Sequence, residues 1–310
     1  MESSAGGLPG LGRIARPWTV KVEMTRGCNL KCGFCPIAVL PAYSTDKQYL
    51  TPALCAHLAP EIATVHPSPR IELTMRGEPT LNPHLLENLA LLRAALPHAQ
   101  ITLFSNGVRF LKDPAPLKSL FGFGLNILAI DCYNGTYDRF AALVQAAFAQ
   151  TDVSVRDFRS FSAYKAYPQG HTLKVCVLVP DIADPAHLVT VRVLHNNGGN
   201  ADPQALQERY GIAPLAAPLP KKCARPFREL VLAYNGDVLL CCHDWRAEAV
   251  LGSTVTTPLR DIWYGAAHLA ALQALYVGDR SAPPCSKCDY HGGYRLGFLH
   301  NPNVDGRRQD

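Results

Sequence analysis

An α/β protein is what this sequence predicts: a parallel sheet clothed in helices, followed by a small unit of one β-hairpin and one helix. Three observations lead there. Strand-patterned apolar runs alternate with runs of helical periodicity from residue 18 to about residue 180, the pattern of a parallel sheet with its helices outside. Glycine-containing polar segments follow the strands rather than the helices. Past residue 222 the alternation stops, and Tyr234-Asn235-Gly236-Asp237 stands as a hairpin signal between the apolar runs ELVLAY and VLLCC.

Residues 1–17 read as a flexible lead. Trp18 to Thr25 (WTVKVEMT) alternates and reads as the first strand. Thr51 stands where an N-cap would, and Pro52 to Val65 follows as a helix. Arg70 to Met75 is the next strand, His84 to Leu96 has helical periodicity, and Gln100 to Phe104 is a third strand. A short helix over Leu117 to Phe121 leads to the buried strand Leu125 to Asp131, and Tyr137 to Ala149 is helical. Weaker strands follow at Val153 to Phe158 and Leu173 to Pro180. Six such units over residues 18–200 make a partial (β/α)6 TIM-like barrel, although periodicity alone does not separate that from a doubly wound sheet. Residues 201–222, rich in Ala and Pro, read as a linker. Residues 223–290 form the smaller unit, with a helix over Leu259 to Tyr276, and residues 291–310 a tail.

The 310 residues carry a formal charge of +5 with no run of five like charges. A nucleic-acid footprint needs a clustered basic stripe, so none is expected. No stretch of eighteen apolar residues exists and the first twenty residues hold no apolar signal region, so neither a membrane span nor secretion is expected. Of the eleven cysteines, three crowd near the start and five fall in the last third. Without a secretory signal, such clusters argue for metal ligation over disulfides, in a reducing cytoplasm.

The first cluster reads T-R-G-C-N-L-K-C-G-F-C-P, with the spacing Cys28-x3-Cys32-x2-Cys35. Three thiolates on one loop can wrap an iron–sulfur cube and leave one iron open to a ligand's amine and carboxylate. A structural zinc would want a fourth ligand, and none stands nearby. With Phe34 before the last cysteine, and its place after the first strand, the motif resembles the signature of the radical S-adenosylmethionine (SAM) superfamily. That resemblance implies a partial barrel, a [4Fe–4S] cluster on Cys28, Cys32 and Cys35, and SAM on its open iron. It also implies reductive cleavage of SAM to a 5′-deoxyadenosyl radical that abstracts hydrogen from substrate.

Other segments agree. Thr74-Met75-Arg76-Gly77-Glu78-Pro79 resembles the element that holds the methionyl ammonium, with Arg76 in place of the commoner first glycine; Gly77, Glu78 and Pro79 are the expected contacts. Ser105-Asn106-Gly107 resembles the element near the ribose or carboxylate. Asp131, closing the fourth strand before Tyr133, faces a ligand or serves as a cap. His195 to Asn200 resembles the Asn/Gly-rich turn near adenine and ribose, through Asn197 and Gly198. All these elements sit at expected C-terminal strand ends, the face where parallel barrels build active sites.

The second set is Cys223, Cys241, Cys285 and Cys288, with Cys242 spare. A hairpin brings the first two together, and the Cys-x2-Cys pair closes a tetrad that suits zinc or an iron–sulfur cluster. Behind a radical SAM barrel it resembles the auxiliary-cluster region called SPASM, in its shortened twitch form. That implies a second [4Fe–4S] cluster in a small C-terminal iron–sulfur domain. Cys242 is the alternative to Cys241, which the spacing after Gly236 favours.

A fully ligated cluster has no open iron, so its work is electron transfer. A secondary-alcohol radical that loses one electron and one proton becomes a ketone. The chain resembles twitch-type radical SAM dehydrogenases of aminocyclitol antibiotic biosynthesis, which implies oxidation of a small polar substrate and a low-potential donor such as flavodoxin or ferredoxin. Arg192, Asp131 and Tyr133, with His195, are the candidate bases. One rival reading is a SPASM-type enzyme that modifies a peptide by thioether formation or epimerisation, although fewer than twenty residues precede the first strand. The other is a non-catalytic zinc-binding protein.

Overall fold

The computed structural model describes residues 14–157, 171–179 and 195–290. Its strands are β1 (Thr19–Val22), β2 (Thr25–Arg26), β3 (Gln48–Tyr49), β4 (Arg70–Glu72), β5 (Gln100–Ser105), β6 (Ile127–Asp131), β7 (Ser154–Asp157), β8 (Val175–Val179), β9 (Glu229–Leu232), β10 (Asp237–Leu239) and β11 (Val250–Ser253). Among the described residues, nine of them form one sheet in the order β11-β10-β9-β1-β4-β5-β6-β8-β7, and β2 pairs only with β3. From β9 to β7 all pairings are parallel. The architecture is the expected α/β partial barrel.

Two features of the topology depart from expectation. Among the described residues, two strands stand out of chain order, with β8 inserted between β6 and β7. Hydrophobicity explains it: Val175–Val179 (VCVLV) is buried throughout and suits a strand with neighbours on both sides. Ser154–Asp157 (SVRD) suits an edge. The C-terminal hairpin, moreover, extends the barrel sheet: β9 pairs with β1 from Thr19↔Glu229 to Val22↔Leu232. The second unit is built onto the first.

Alternation sorts the side chains. Val20, Val22, Ile71, Ile101, Leu103, Leu128 and Ile130 face the helices in the main core, which also takes up Cys55, Cys132 and Cys176 as packing residues. On the opposite, inner face, Ile127, Ala129, Val175, Val177 and Val179 form an apolar wall. Across from them the inner face is charged, with the ion pairs Lys21–Glu72 and Arg225–Glu229, the second at 3.0 Å.

The helix Pro52–Val65 is capped as expected, Thr51 Oγ1 accepting from Leu54 N at 3.3 Å. The supposed linker instead contains a helix, Pro203–Tyr210. Asp202 Oδ1 caps it through Gln204 N at 2.9 Å and Ala205 N at 3.3 Å, and Gly211 ends it at φ +68°. Asp-Pro at the start and Gly at the end are helix signals that the Ala/Pro composition obscured. The single helix expected over Leu259 to Tyr276 is two, Leu259–Trp263 and Ala266–Val277. Gly265 marks the break, where a Cβ would come within 2.5 Å of Asp261 O.

Candidate active site

Two glycines seat the first cysteine loop against the end of β4. Gly27 and Gly77 form an isolated parallel bridge. Gly27 N donates to Arg76 O at 3.1 Å, and Glu78 N to Gly27 O at 2.9 Å. A Cβ on Gly77 would lie 2.3 Å from Thr25 O and 2.4 Å from Gly27 O, so only glycine permits this approach. Cys28 N is then fixed by Tyr43 O at 3.1 Å, and Cys35 N by Cys32 O at 2.9 Å.

The three thiols sense one another. Burial first, then Cys28, pushes the Cys32 thiol up to about 11. Burial chiefly, with Cys32 and Cys28 adding, pushes Cys35 up to about 12. Burial also raises Cys28, against the donation of Leu30 N to its Sγ at 3.3 Å. Thiols held so poorly ionised gain most from a cationic partner, which displaces their protons. Three cysteine thiols on one loop can each bind one iron of a cube and leave the fourth iron open, so the donor set fits a four-iron cluster.

Around it the strand ends are tied by one carboxylate. Glu78, 3 % exposed, accepts at Oε1 from Thr80 N (3.0 Å), Thr80 Oγ1 (2.6 Å) and Ser105 Oγ (2.7 Å), and at Oε2 from Asn106 N (2.8 Å). Burial still leaves its pKa raised, these hydrogen bonds opposing. These bonds make Glu78 a fastener between the end of β4 and the end of β5. Pro79 opens the short turn Pro79–Leu81 beneath it. Asn106 Nδ2, so positioned, donates to Asn29 Oδ1 at 2.9 Å and to Cys28 Sγ at 3.5 Å.

Phe34 leans into the apolar wall, its ring 6.4 Å from Tyr133 and 6.1 Å from Tyr210. Asp131, buried at the end of β6, acts electrostatically on Cys32. Asn197 Nδ2 donates to Phe34 O at 3.2 Å. Its turn docks on the C-terminal unit: a Cβ on Gly198 would meet His243 O at 2.7 Å, and Asn196 Nδ2 donates to Lys287 O at 2.7 Å. His195 packs against His243 with the rings tilted by 42° and their centres 4.1 Å apart. Arg192 lies outside the described residues.

In the second set, Cys223, Cys285 and Cys288 act on one another: burial first, then Cys223, raises Cys285 to about 12 and Cys288 to about 11. The Cys242 thiol accepts from Arg225 Nη1 at 3.3 Å and lies 3.6 Å from Glu229 Oε2. It packs with Val231, Ala233 and Leu239 on the sheet. The bond with Cys241 and the Arg225 guanidinium hold Cys242 below its ordinary value, while Cys241 is raised. Both chemistries of donor and number fit a second cube on Cys223, Cys285, Cys288 and one of this pair.

Sequence reasoning missed the parts that join the two sites. Arg76 reaches Glu23 with Nε–Oε1 at 2.8 Å and Nη2–Oε2 at 2.6 Å, both residues buried, and its Nη1 lies 3.4 Å from Asp244 O. Tyr43 donates to Trp245 O, and Trp245 closes an apolar cluster with Ile37 and Leu40 against Cys28 and Cys35. Tyr210 was hidden in the supposed linker. No local signal marks Trp245 or the Glu23 partnership.

Comparison with known proteins finds a family model over each of the two cysteine sites. Residues 22–148 match the radical SAM superfamily, and residues 223–289 match the SPASM iron–sulfur cluster-binding domain. The chain is 24 % identical over 271 residues, 87 % of this chain and 92 % of the other, to the S-adenosyl-L-methionine-dependent 2-deoxy-scyllo-inosamine dehydrogenase of Niallia circulans. It is 36 % identical over 117 residues to the GTP 3′,8-cyclase of Mycobacterium ulcerans, covering 37 % of this chain and 32 % of that one. The fold matches BtrN in complex with AdoMet and 2-DOIA, with TM-score 0.66 and 21 % identity over 91 % of this chain and 97 % of that chain. It also matches native anSMEcpe with bound AdoMet, with TM-score 0.51 and 12 % identity over 91 % and 94 %.

Proposed function

Since residues 22–148 match the radical SAM superfamily and residues 223–289 the SPASM iron–sulfur cluster-binding domain, we propose that this chain oxidises a secondary alcohol of a small polar molecule, aminocyclitol-like, to the ketone. The observation that carries the reading is the union of the two cysteine sites on one sheet, through β9 on β1. That union supports the reading because it would hold an electron acceptor on the same sheet as the radical site, as a dehydrogenation needs. The likeness to a 2-deoxy-scyllo-inosamine dehydrogenase over 87 % of the chain supports the substrate class.

When bound, the SAM cluster and SAM supply a 5′-deoxyadenosyl radical, and the auxiliary cluster takes up one electron. The chain does the rest. Cys28, Cys32 and Cys35 hold the first cluster, with Asn106 Nδ2 turned to Cys28 Sγ. Glu78 fixes Ser105 and Asn106 in place for SAM. Phe34, Tyr133 and Tyr210 wall the interior against water. Charged groups of the opposite inner face, Lys21, Glu72, Arg225 and Glu229, offer hydrogen bonds to hydroxyl and amino groups of a substrate. Of the expected bases, Asp131 Oδ takes the alcohol proton: a carboxylate is an acceptor, whereas the Arg192 guanidinium is not. Cys241 completes the second tetrad, leaving Cys242 to Arg225 and Glu229. A small low-potential donor, flavodoxin or ferredoxin, delivers the starting electron.

The test is anaerobic turnover of 2-deoxy-scyllo-inosamine and related aminocyclitols deuterated at the carbinol carbon. The reading expects a ketone and deuterium in 5′-deoxyadenosine. Label transfer with the substrate's oxidation state unchanged would refute it.

A further inference from the structure

Arg280 is a buried cation that, among the described residues, is paired with carbonyl oxygens and no carboxylate. It is 3 % exposed, in the turn that follows the helix Ala266–Val277. Its Nε donates to Lys221 O at 2.8 Å and Nη2 to Lys222 O at 3.2 Å. Its Nη1 donates to Tyr290 O at 2.7 Å and approaches Cys288 O at 3.5 Å. One guanidinium thus straps the strand of chain that leads into Cys223 to the strand that leaves Cys288. It thereby lies at the backbone of Cys288 and of Lys222, the residue before Cys223. Arg225, also near these cysteines, is paired with Glu229 at 3.0 Å. The nearby Asp289 carboxylate is held by Asn196 N at 2.8 and 3.0 Å.

A buried charge persists where it is paired or meets a metal site. Carbonyl dipoles supply part of that compensation for Arg280, but no net negative charge. A four-thiolate iron–sulfur cube is an anion, and gains one more negative charge on reduction. Its potential depends on local charge and hydrogen bonding.

We propose that Arg280 is the counter-ion of the auxiliary cluster, a buried cation that favours the reduced cluster and so lets it accept the substrate electron. The assignment rests on the auxiliary cluster of the proposed function. The redox step is balanced: the substrate radical gives one electron and one proton, the cluster gains the electron, and the base gains the proton.

The experiment isolates the auxiliary cluster in the Cys28/Cys32/Cys35→Ala variant, reconstituted anaerobically. Iron is counted, and the midpoint potential is read by EPR-monitored titration, for Arg280, Arg280→Lys and Arg280→Gln. The expected result is a cluster at least tenfold harder to reduce in Arg280→Gln, about 59 mV lower for one electron, and near the Arg280 value in Arg280→Lys. Loss of the cluster in Arg280→Gln with retention and unchanged potential in Arg280→Lys also supports a charge requirement. An unchanged potential in Arg280→Gln overturns the assignment. Equal shifts, or loss of iron, in both variants overturn it as well, because hydrogen-bond geometry and not charge is then at work. Absence of iron with Arg280 intact would instead remove the auxiliary cluster itself.

Discussion

Replacing Arg76 by Met should destabilise the protein heavily. Glu23 is 0 % exposed, and its two charge-assisted bonds, at 2.8 and 2.6 Å, both come from Arg76. Its remaining donor is the backbone Tyr234 N at 3.2 Å. Hydrogen bonds to a charged group are worth about 1.5–3 kcal/mol each. Two of them agree with the roughly 3–5 kcal/mol seen when one partner of a buried ion pair is removed. The longer contacts from Nη1 to Asp244 O and Trp245 O, at 3.4 and 3.5 Å, add little energy but would release the chain after Cys241–Cys242. At about 2 °C per kcal/mol for a chain of this size, Arg76→Met should lower the thermal midpoint by roughly 6 °C or more. Thermal scans of reconstituted protein at one fixed rate, by circular dichroism and iron–sulfur absorbance, read it directly. The double variant E23Q/R76M removes the stranded charge. It should recover about 1–3 kcal/mol relative to the sum of the single changes. A midpoint for Arg76→Met within about 2 °C of the parent, or strict additivity in the double variant, would show that the pair does not carry the junction.

Glu78→Gln keeps the three donors at Oε1 but turns an amide NH2 toward Asn106 N. Leaving that buried donor unmet costs about 1–3 kcal/mol, so SAM affinity should fall roughly 5- to 150-fold while first-cluster iron is retained, as SAM titration followed by EPR would show. Iron should fall from about eight to about four per chain in the Cys28/Cys32/Cys35→Ala variant, and likewise in Cys285/Cys288→Ala. Only the second of these should still make 5′-deoxyadenosine. The Lys21–Glu72 pair should make stability pH-dependent. Burial pulls the Glu72 carboxyl up, but Lys21 more than offsets it, so the folded value lies below the ordinary one. Its contribution is then fully present above an unfolded value of about 4.3 and is lost as pH falls through the folded value. The stability gap between the parent and Glu72→Gln, followed by urea unfolding, should close as the pH is lowered below about 4.

Much of the site was legible because its chemistry is local. The Cys28, Cys32 and Cys35 loop, Gly77-Glu78-Pro79 and Ser105-Asn106 each occupy a few adjacent residues at a strand end, and the strands were marked by apolar alternation. The Thr51 cap was legible for the same reason. What joins distant segments was not. Arg76 reads in sequence as a substituted glycine, since nothing near it announces Glu23, fifty-three positions away. The exchange of β7 and β8 depends on which strand bears two buried faces, a tertiary property. The helix Pro203–Tyr210 did carry its cap signals at Asp202 and Gly211; composition was weighed above them. Trp245 gains its role only when the hairpin is laid against β1.

The pairing of β9 with β1 has a consequence for how the chain is made. These strands are more than two hundred residues apart, so during synthesis β1 leaves the ribosome long before the neighbour that covers its outer edge. Until then the nascent barrel presents an unpaired strand, the kind of edge that recruits other chains, and a contact this distant in sequence forms slowly. A chain stopped before residue 229 would keep that edge permanently. Expression of residues 1–228 alone should therefore yield aggregate, and slow translation or chaperone capture should favour the full-length product.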